Sequence, residues 1–476
     1  MHNTKIIRFL ESLNQYEINQ FKDFVNSPIF NKNKNVSKLF DELKKSYPKF
    51  KAEDLDEEIV FKKVFPKEKY NYFKLKNTAS DLFALSKEFL SYTGFKNNNK
   101  VKEQFLLAEL RARDLDNIFE QTLKAAVKRN EASEVRDENY FYHKLLLNEE
   151  LSSFYAPKEP DEHLHLLQES LNLFIRFALV RIVKFYNVML HEKRQHNFKY
   201  DPGLFDEIMK YINNNNFEDI PTLLVYNNII LLETKLEDKY FYELKSLAEK
   251  HRDQLSPVDR YMIFLHMSGY CAYNFNINSR TDLLAEHFKL INEKNAFWNK
   301  EFGKILYPDF INEVKISVRV NNFEWAENYI EINKHKLENE KESTLNFCYG
   351  MIQYKKGNLA SALDFLTKTY FPIFILKLQV KILQLQIYFE SEYFDQAISM
   401  IDSFRHYLKR ETTIKEDFKV SFYEFLRITN DLIKLKTDHA NVDRDFQMEK
   451  LKGEINNVKT NQFGIKIWLN KKMEIE

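Results

Sequence analysis

The residues best suited to chemistry in this chain are its histidines, its two cysteines and its paired carboxylates. Spacing decides what each set can do. His191-Glu192-Lys193-Arg194-Gln195-His196 has the residue types of a zinc-binding helix. Histidines five apart lie about 140° apart around a helix, so these two cannot share one metal on one face. His163 and His165 lie about 200° apart by the same geometry, and beside Pro160 and Glu162 they read as the polar start of a helix. Cys271 and Cys348 are isolated, which removes a C-x-x-C zinc or redox site and any disulfide framework. No two glycines lie closer than Gly350 and Gly357, which removes a phosphate-cradling loop or a dinucleotide fingerprint. Carboxylates cluster at Glu149-Glu150, Asp56-Glu57-Glu58 and Asp443 with Asp445. In a chain with 70 acidic residues these read as solvated faces, since no apolar setting marks one as a tuned acid or base. The expectation is no catalytic residue, no metal and no cofactor, with an enzyme assembled from distant helices as the low-ranking alternative.

Any binding surface must then be positioned by the elements, and composition says which. The chain has 476 residues, 44% hydrophobic and 30% charged, which suffices for a sizeable core. Gly and Pro number only 8 and 10, far below the roughly 7% and 5% of ordinary chains. Sheets and tight turns need those residues, and helical arrays largely do without them. Lys and Arg total 71 against 70 Asp and Glu, a net charge of +1, which argues against a protein built to coat DNA. Two cysteines and no apolar leader in the first thirty residues fit a reducing cytoplasm. Leu171–Leu190 is apolar but carries Arg176, Arg181 and Lys184, too costly for a bilayer core, so no membrane insertion is expected.

Helical periodicity runs nearly end to end. Ile6, Ile7, Leu10 and Leu13 share one face, as do Ile18, Phe21 and Val25 before Pro28. A longer helix is expected from about Tyr70 to Tyr92, ended by Gly94 and Asn97-Asn98-Asn99. Residues 1–98 therefore read as a module of short helices. From Asp161 to His196 a single helix of roughly 50 Å is expected. Its mid-helix polar residues Asn172, Arg176, Arg181, Lys184 and Asn187 form one narrow stripe, which predicts a spine packed on most sides.

Three later segments share a layout: Asn322-Phe323-Glu324-Trp325-Ala326, Asn358-Leu359-Ala360-Ser361-Ala362 and Tyr393-Phe394-Asp395-Gln396-Ala397. Their alanines are spaced by 36 and 35 residues. Gly350 and Gly357 supply a small first-helix residue and a turn in the middle copy. The third copy keeps Tyr388 and Ala397 but has Leu385 and Glu392 at those two places, and the first keeps Phe310, Asn321 and Ala326. This resembles the tetratricopeptide repeat, a helix–turn–helix unit of about 34 residues that stacks because one pair cannot bury its apolar face alone. The resemblance covers about 308–410.

It implies an all-α, right-handed α-α solenoid of TPR-like helical hairpins with an N-terminal helical module. The divisions expected are 1–98, a long-helix region 99–215, the repeat array 216–440 and a capping tail 441–476. The first helix of each pair would line a concave face. Lys315 and Arg319 would face it from the first copy, beside Ile311 and Val318. Phe347, Met351, Tyr354 and Lys355 would face it from the second, beside Thr344, and Gln386 and Phe389 from the third, beside Gln379, Ile382 and Glu390. Mixed aromatic and charged groups suit a protein or peptide partner, so a cytoplasmic adaptor is the reading. In the tail, Trp468 belongs either to a capping helix or to a docking peptide.

Nucleic acid is the alternative partner. Residues 1–100 carry 19 Lys and Arg against 13 Asp and Glu. Phosphate would meet Lys44, Lys45, Lys49 and Lys51, or Lys62, Lys63, Lys67 and Lys69, with Tyr47, Phe50, Phe61 and Tyr70 free to stack on bases. The acidic middle, net −8 over 101–404, could also pair with this region between two copies to give a homodimer.

Overall fold

A computed structural model describes the chain except for residues 196–198, 279, 281, 302, 413, 415, 438–443 and 475–476. His196 and Asp443 lie outside the described residues, as does the 440/441 boundary. The described residues form an all-α protein with 23 α-helices and no strand. They gather into two compact units, residues 1–130 with 146–168, and residues 131–145 with 169–476. The helices Glu138–Tyr155 and Pro160–Gln195 each contribute residues to both units.

The first unit is built on aromatic packing. Phe21 is fully buried, its ring 5.1 Å from Phe9, 5.1 Å from Phe40 and 5.2 Å from Phe89. Helix starts are set by asparagine and aspartate caps. Asn14 and Glu17 close a capping box, and Asp56 accepts from the Glu58 and Ile59 amides. The long helix runs Tyr72–Asn97, past Gly94, before Asn98 caps the next one at Val101. A lone glycine costs a helix only about 1 kcal/mol, so the cap and not the glycine sets the boundary. A second core follows, where Phe119 stacks on Phe154 with centroids 4.5 Å apart, beside Leu107 and Leu123.

Of the four aromatics expected to stack on bases, two are core and Tyr70 stays 41% exposed. Phe50 and Phe61 are fully buried. A small helical module needs its aromatics as core before it can offer them to a ligand. Tyr47 is half-buried, and its hydroxyl donates to the Leu13 carbonyl at 2.9 Å. Lys45 and Lys63 both lie against Glu42.

In the second unit, the helix Pro160–Gln195 is continuous as expected, but it is not packed on most sides. Val180, Val183 and Asn187 are fully buried, while Leu171, Phe174, Phe185 and Val188 are each about half exposed. One helix face of roughly 100° is enough to anchor such an element, and the remaining apolar residues stay outside it. Two residues of its polar stripe turn inward. Asn187 meets His266 at 3.2 Å, and Lys184 bridges Glu138 at 2.6 Å and Asp259 at 2.7 Å.

The repeat segments form helix pairs packed in series: Tyr307–Arg319 with Phe323–Asn333, Lys341–Lys355 with Leu359–Thr367, and Phe374–Glu390 with Phe394–Arg410. Ala326, Ala362 and Ala397 are all fully buried, and the Ala362 carbonyl lies beside Gly350 of the first helix of its pair. The three turns close alike. Asn321, Gly357 and Glu392 all take the left-handed conformation, at φ 57°, 85° and 58°. The following amide then reaches back five residues: Asn322 to Ser317 at 2.9 Å, Asn358 to Gln353 at 2.9 Å, Tyr393 to Tyr388 at 2.8 Å. That is the closure by which a helix end satisfies its orphan carbonyls. The first helices of successive pairs also pack on one another. The helix Glu416–Thr437 follows the third pair, and the C-terminal helix Ile465–Glu474 packs on it.

Candidate functional site

The residues expected to face a partner converge on one cavity of about 500 Å³ within the second unit. Lys315 and Arg319 reach it from one helix, one turn apart. Phe347, Met351, Tyr354 and Lys355 reach it from the next, and Gln379, Ile382, Gln386 and Glu390 from the third. Not every expected residue faces it. Ile311 and Thr344 are fully buried elsewhere in the packing. Phe389 is buried too, its ring 5.2 Å from that of Trp468.

Spacing explains the division. Helical positions 315 and 319, or 347, 351 and 354, recur every three or four residues and so share one face. The phase of that face is set by packing between pairs, which periodicity alone leaves open by a residue or two.

The fourth wall comes from the C-terminal helix. Ile467, Trp468, Lys471 and Lys472 line the cavity, with Phe463 from the turn just before the helix. Trp468 belongs to the core as well, against Phe389 and Phe425, while Ile465 and Leu469 are fully buried. The helix therefore caps the last packed layer and encloses the cavity with its other edge. The tail's amphipathic spacing gave it as a cover, but its lysines were not legible as cavity residues, because nothing local tells which edge of a capping helix turns inward.

Charge is unevenly matched in this cavity. Glu390 is the one carboxylate among the described lining residues. Its Oε1 accepts from Tyr354 Oη at 2.7 Å and from Trp468 Nε1 at 2.7 Å, and pairs with Lys472 Nζ at 2.7 Å. Lys315 donates to the Gln379 side-chain oxygen at 3.3 Å, a neutral partner. Among the described residues neither Lys355 nor Lys471 has a carboxylate within 4 Å, and both are exposed to the cavity mouth.

The electrostatics follow. Burial and then the neighbouring Arg319 push the Lys315 ammonium down to about 7. Burial pulls Arg319 down to about 10. Lys355 is lowered by burial and then by Lys471. Burial and then Glu390 hold the Tyr354 phenol well above its usual range. The cavity can therefore hold an anion by charge and an apolar body by contact. Burial raises the nearby Cys348 thiol far from its reactive form.

The histidines take other places. His191 lies with its ring 5.6 Å from that of His266, which itself meets Glu233 at 2.9 Å and Asn187. His163 Nδ1 meets the Ser152 hydroxyl at 2.9 Å near a helix start. Among the described residues no three His, Cys, Asp or Glu side chains are grouped to hold a metal ion, and no helix is long and apolar enough to cross a membrane. Comparison with family models, with curated proteins and with solved structures finds no match.

Proposed function

We propose that the chain is a non-enzymatic, cytoplasmic adaptor whose helix pairs form a right-handed, tetratricopeptide-like array with a protein or peptide partner seated on its inner face. One observation carries this reading. Side chains from three successive first helices, chosen by repeat spacing, line a single cavity. The common turn geometry at Asn321, Gly357 and Glu392 supports the repeat relationship. A partner would place aromatic or apolar side chains against Met351 and Ile382 and acidic ones against the lysines.

The test is affinity capture of the full chain from its native lysate, with and without nuclease, beside the variant Lys355→Glu. Lys355 is exposed and outside any ion pair among the described residues, so the variant should fold. Tyr354→Ala is a poorer probe, because it also removes a donor to Glu390. A stoichiometric protein that survives nuclease and is lost with Lys355→Glu is the expected result. Partners that vanish with nuclease would move the function to nucleic acid.

A further inference from the structure

We propose that the cavity is a receptor site for a phosphorylated small molecule of about nucleotide size, its phosphates held by Lys315, Arg319, Lys355, Lys471 and Lys472. The inference goes beyond the adaptor reading, because it needs only the chain itself. Three separate segments bring these cations together: the helix Tyr307–Arg319, the end of the helix Lys341–Lys355 and the C-terminal helix. Without counting Arg319, the four lysines Lys315, Lys355, Lys471 and Lys472 thus face one carboxylate among the described lining residues. That carboxylate is already occupied by Tyr354, Trp468 and Lys472. Like charges gathered in a partly enclosed space repel one another and lose hydration, and a protein gains stability from such a cluster only when an anion completes it.

The shape of the cavity decides which anion. At about 500 Å³ the space falls within the usual range of small-molecule sites. The C-terminal helix walls one side and so bounds the space open to a ligand. Lysine ammonium groups hold phosphate oxygens as point charges, and the Arg319 guanidinium adds a planar fork that matches phosphate geometry. Met351, Ile382 and Ile467 give the remaining wall an apolar surface for a ring or a hydrocarbon body.

Lys315 supplies a signature that a merely sticky patch lacks. It faces Arg319 on its own helix, the Cys348 thiol from the next and the Gln379 amide from the third, with no acid among the groups that set its titration. A bound phosphate would be the missing negative charge and would draw a proton onto it. Binding at about pH 8 should therefore take up protons, and affinity should fall as the pH rises through about 7.

The experiment is isothermal titration of the purified full chain with ADP, inorganic pyrophosphate, citrate and octaglutamate, in two buffers of different ionisation enthalpy. Saturable one-to-one binding of ADP is expected, with pyrophosphate weaker, and with proton uptake. Lys355→Gln and Lys471→Gln should each weaken ADP about tenfold. Both lysines are exposed, and unchanged circular dichroism and melting would show the variants folded. Lack of saturable binding of either phosphate at millimolar concentration would overturn the proposal, as would binding indifferent to both substitutions. Citrate binding as well as pyrophosphate would reduce the site to unselective charge and also overturn it. Octaglutamate binding more tightly than ADP would transfer the cavity to an acidic protein segment. If ADP binds while no protein partner is captured, only the adaptor reading fails.

Discussion

Lys294 shows what burial does to a single charged residue here. It is 7% exposed, and its ammonium lies 2.8 Å from Glu313, itself 1% exposed, and 3.7 Å from Asp309. Burial works against the charge on Lys294, but Glu313 and Asp309 outweigh it and raise the ammonium's proton affinity. Burial raises the Glu313 carboxyl, opposed by Lys294. Such a pair adds little net stability, yet removing one member leaves the other buried without its counter-charge. Lys294→Met is expected to destabilise the protein by about 3–5 kcal/mol, measured by urea unfolding. Adding Glu313→Leu should recover most of that loss. If the double variant is no more stable than the single one, the pair is not coupled in this way. No sequence signal marked either residue, since both sit among the ordinary charges of amphipathic helices.

At the scale of the element, the repeat turns carry the argument. Glu392 adopts φ 58° where its counterpart is Gly357, and a side chain in that region costs about 1–2 kcal/mol. Part of that strain is offset in the glycine variant by the greater freedom of the unfolded chain. Glu392→Gly should therefore stabilise by about 0.5–1 kcal/mol, read as a higher urea midpoint at constant slope. Gly350 is held small for a different reason. A Cβ there would lie 3.0 Å from Leu366 Cγ and Cδ2 and 3.5 Å from the Ala362 carbonyl oxygen. Leu366 is fully buried and has little room to yield. Gly350→Val should cost about 1–3 kcal/mol by overpacking the junction of its pair, whereas a similar cost from Gly94→Val, where nothing lies within 4 Å, would discredit the explanation.

At the scale of the whole molecule, 476 residues exceed what one hydrophobic core supports, and the contacts separate into two units. Unfolding should therefore depart from a two-state transition, with a calorimetric enthalpy larger than the van't Hoff value. Equal enthalpies in differential scanning calorimetry would show a single cooperative block instead. Lys294→Met should shift only the transition that belongs to the second unit. Nucleic-acid binding finds little support at this scale. The charges nearly cancel, and two of the four aromatics that could have stacked on bases are core residues.

The sequence by itself determined the helical class and the helix pairs at about 308–410. Those features depend on contacts between neighbours along one helix or across one short turn, and local spacing encodes them. It also picked out eleven of the residues that line the cavity, from Lys315 to Glu390, because helical spacing is a local property. Tertiary structure alone decided that Phe389 goes under Trp468, that Phe50 and Phe61 serve the core, and that the long helix leaves Leu171 and Phe185 half exposed. It alone brought Lys471 and Lys472 opposite Lys315, across more than 150 positions of chain. The physical reason is that burial is a competition among distant surfaces for the same apolar space, and a single helix does not carry the outcome in its own spacing.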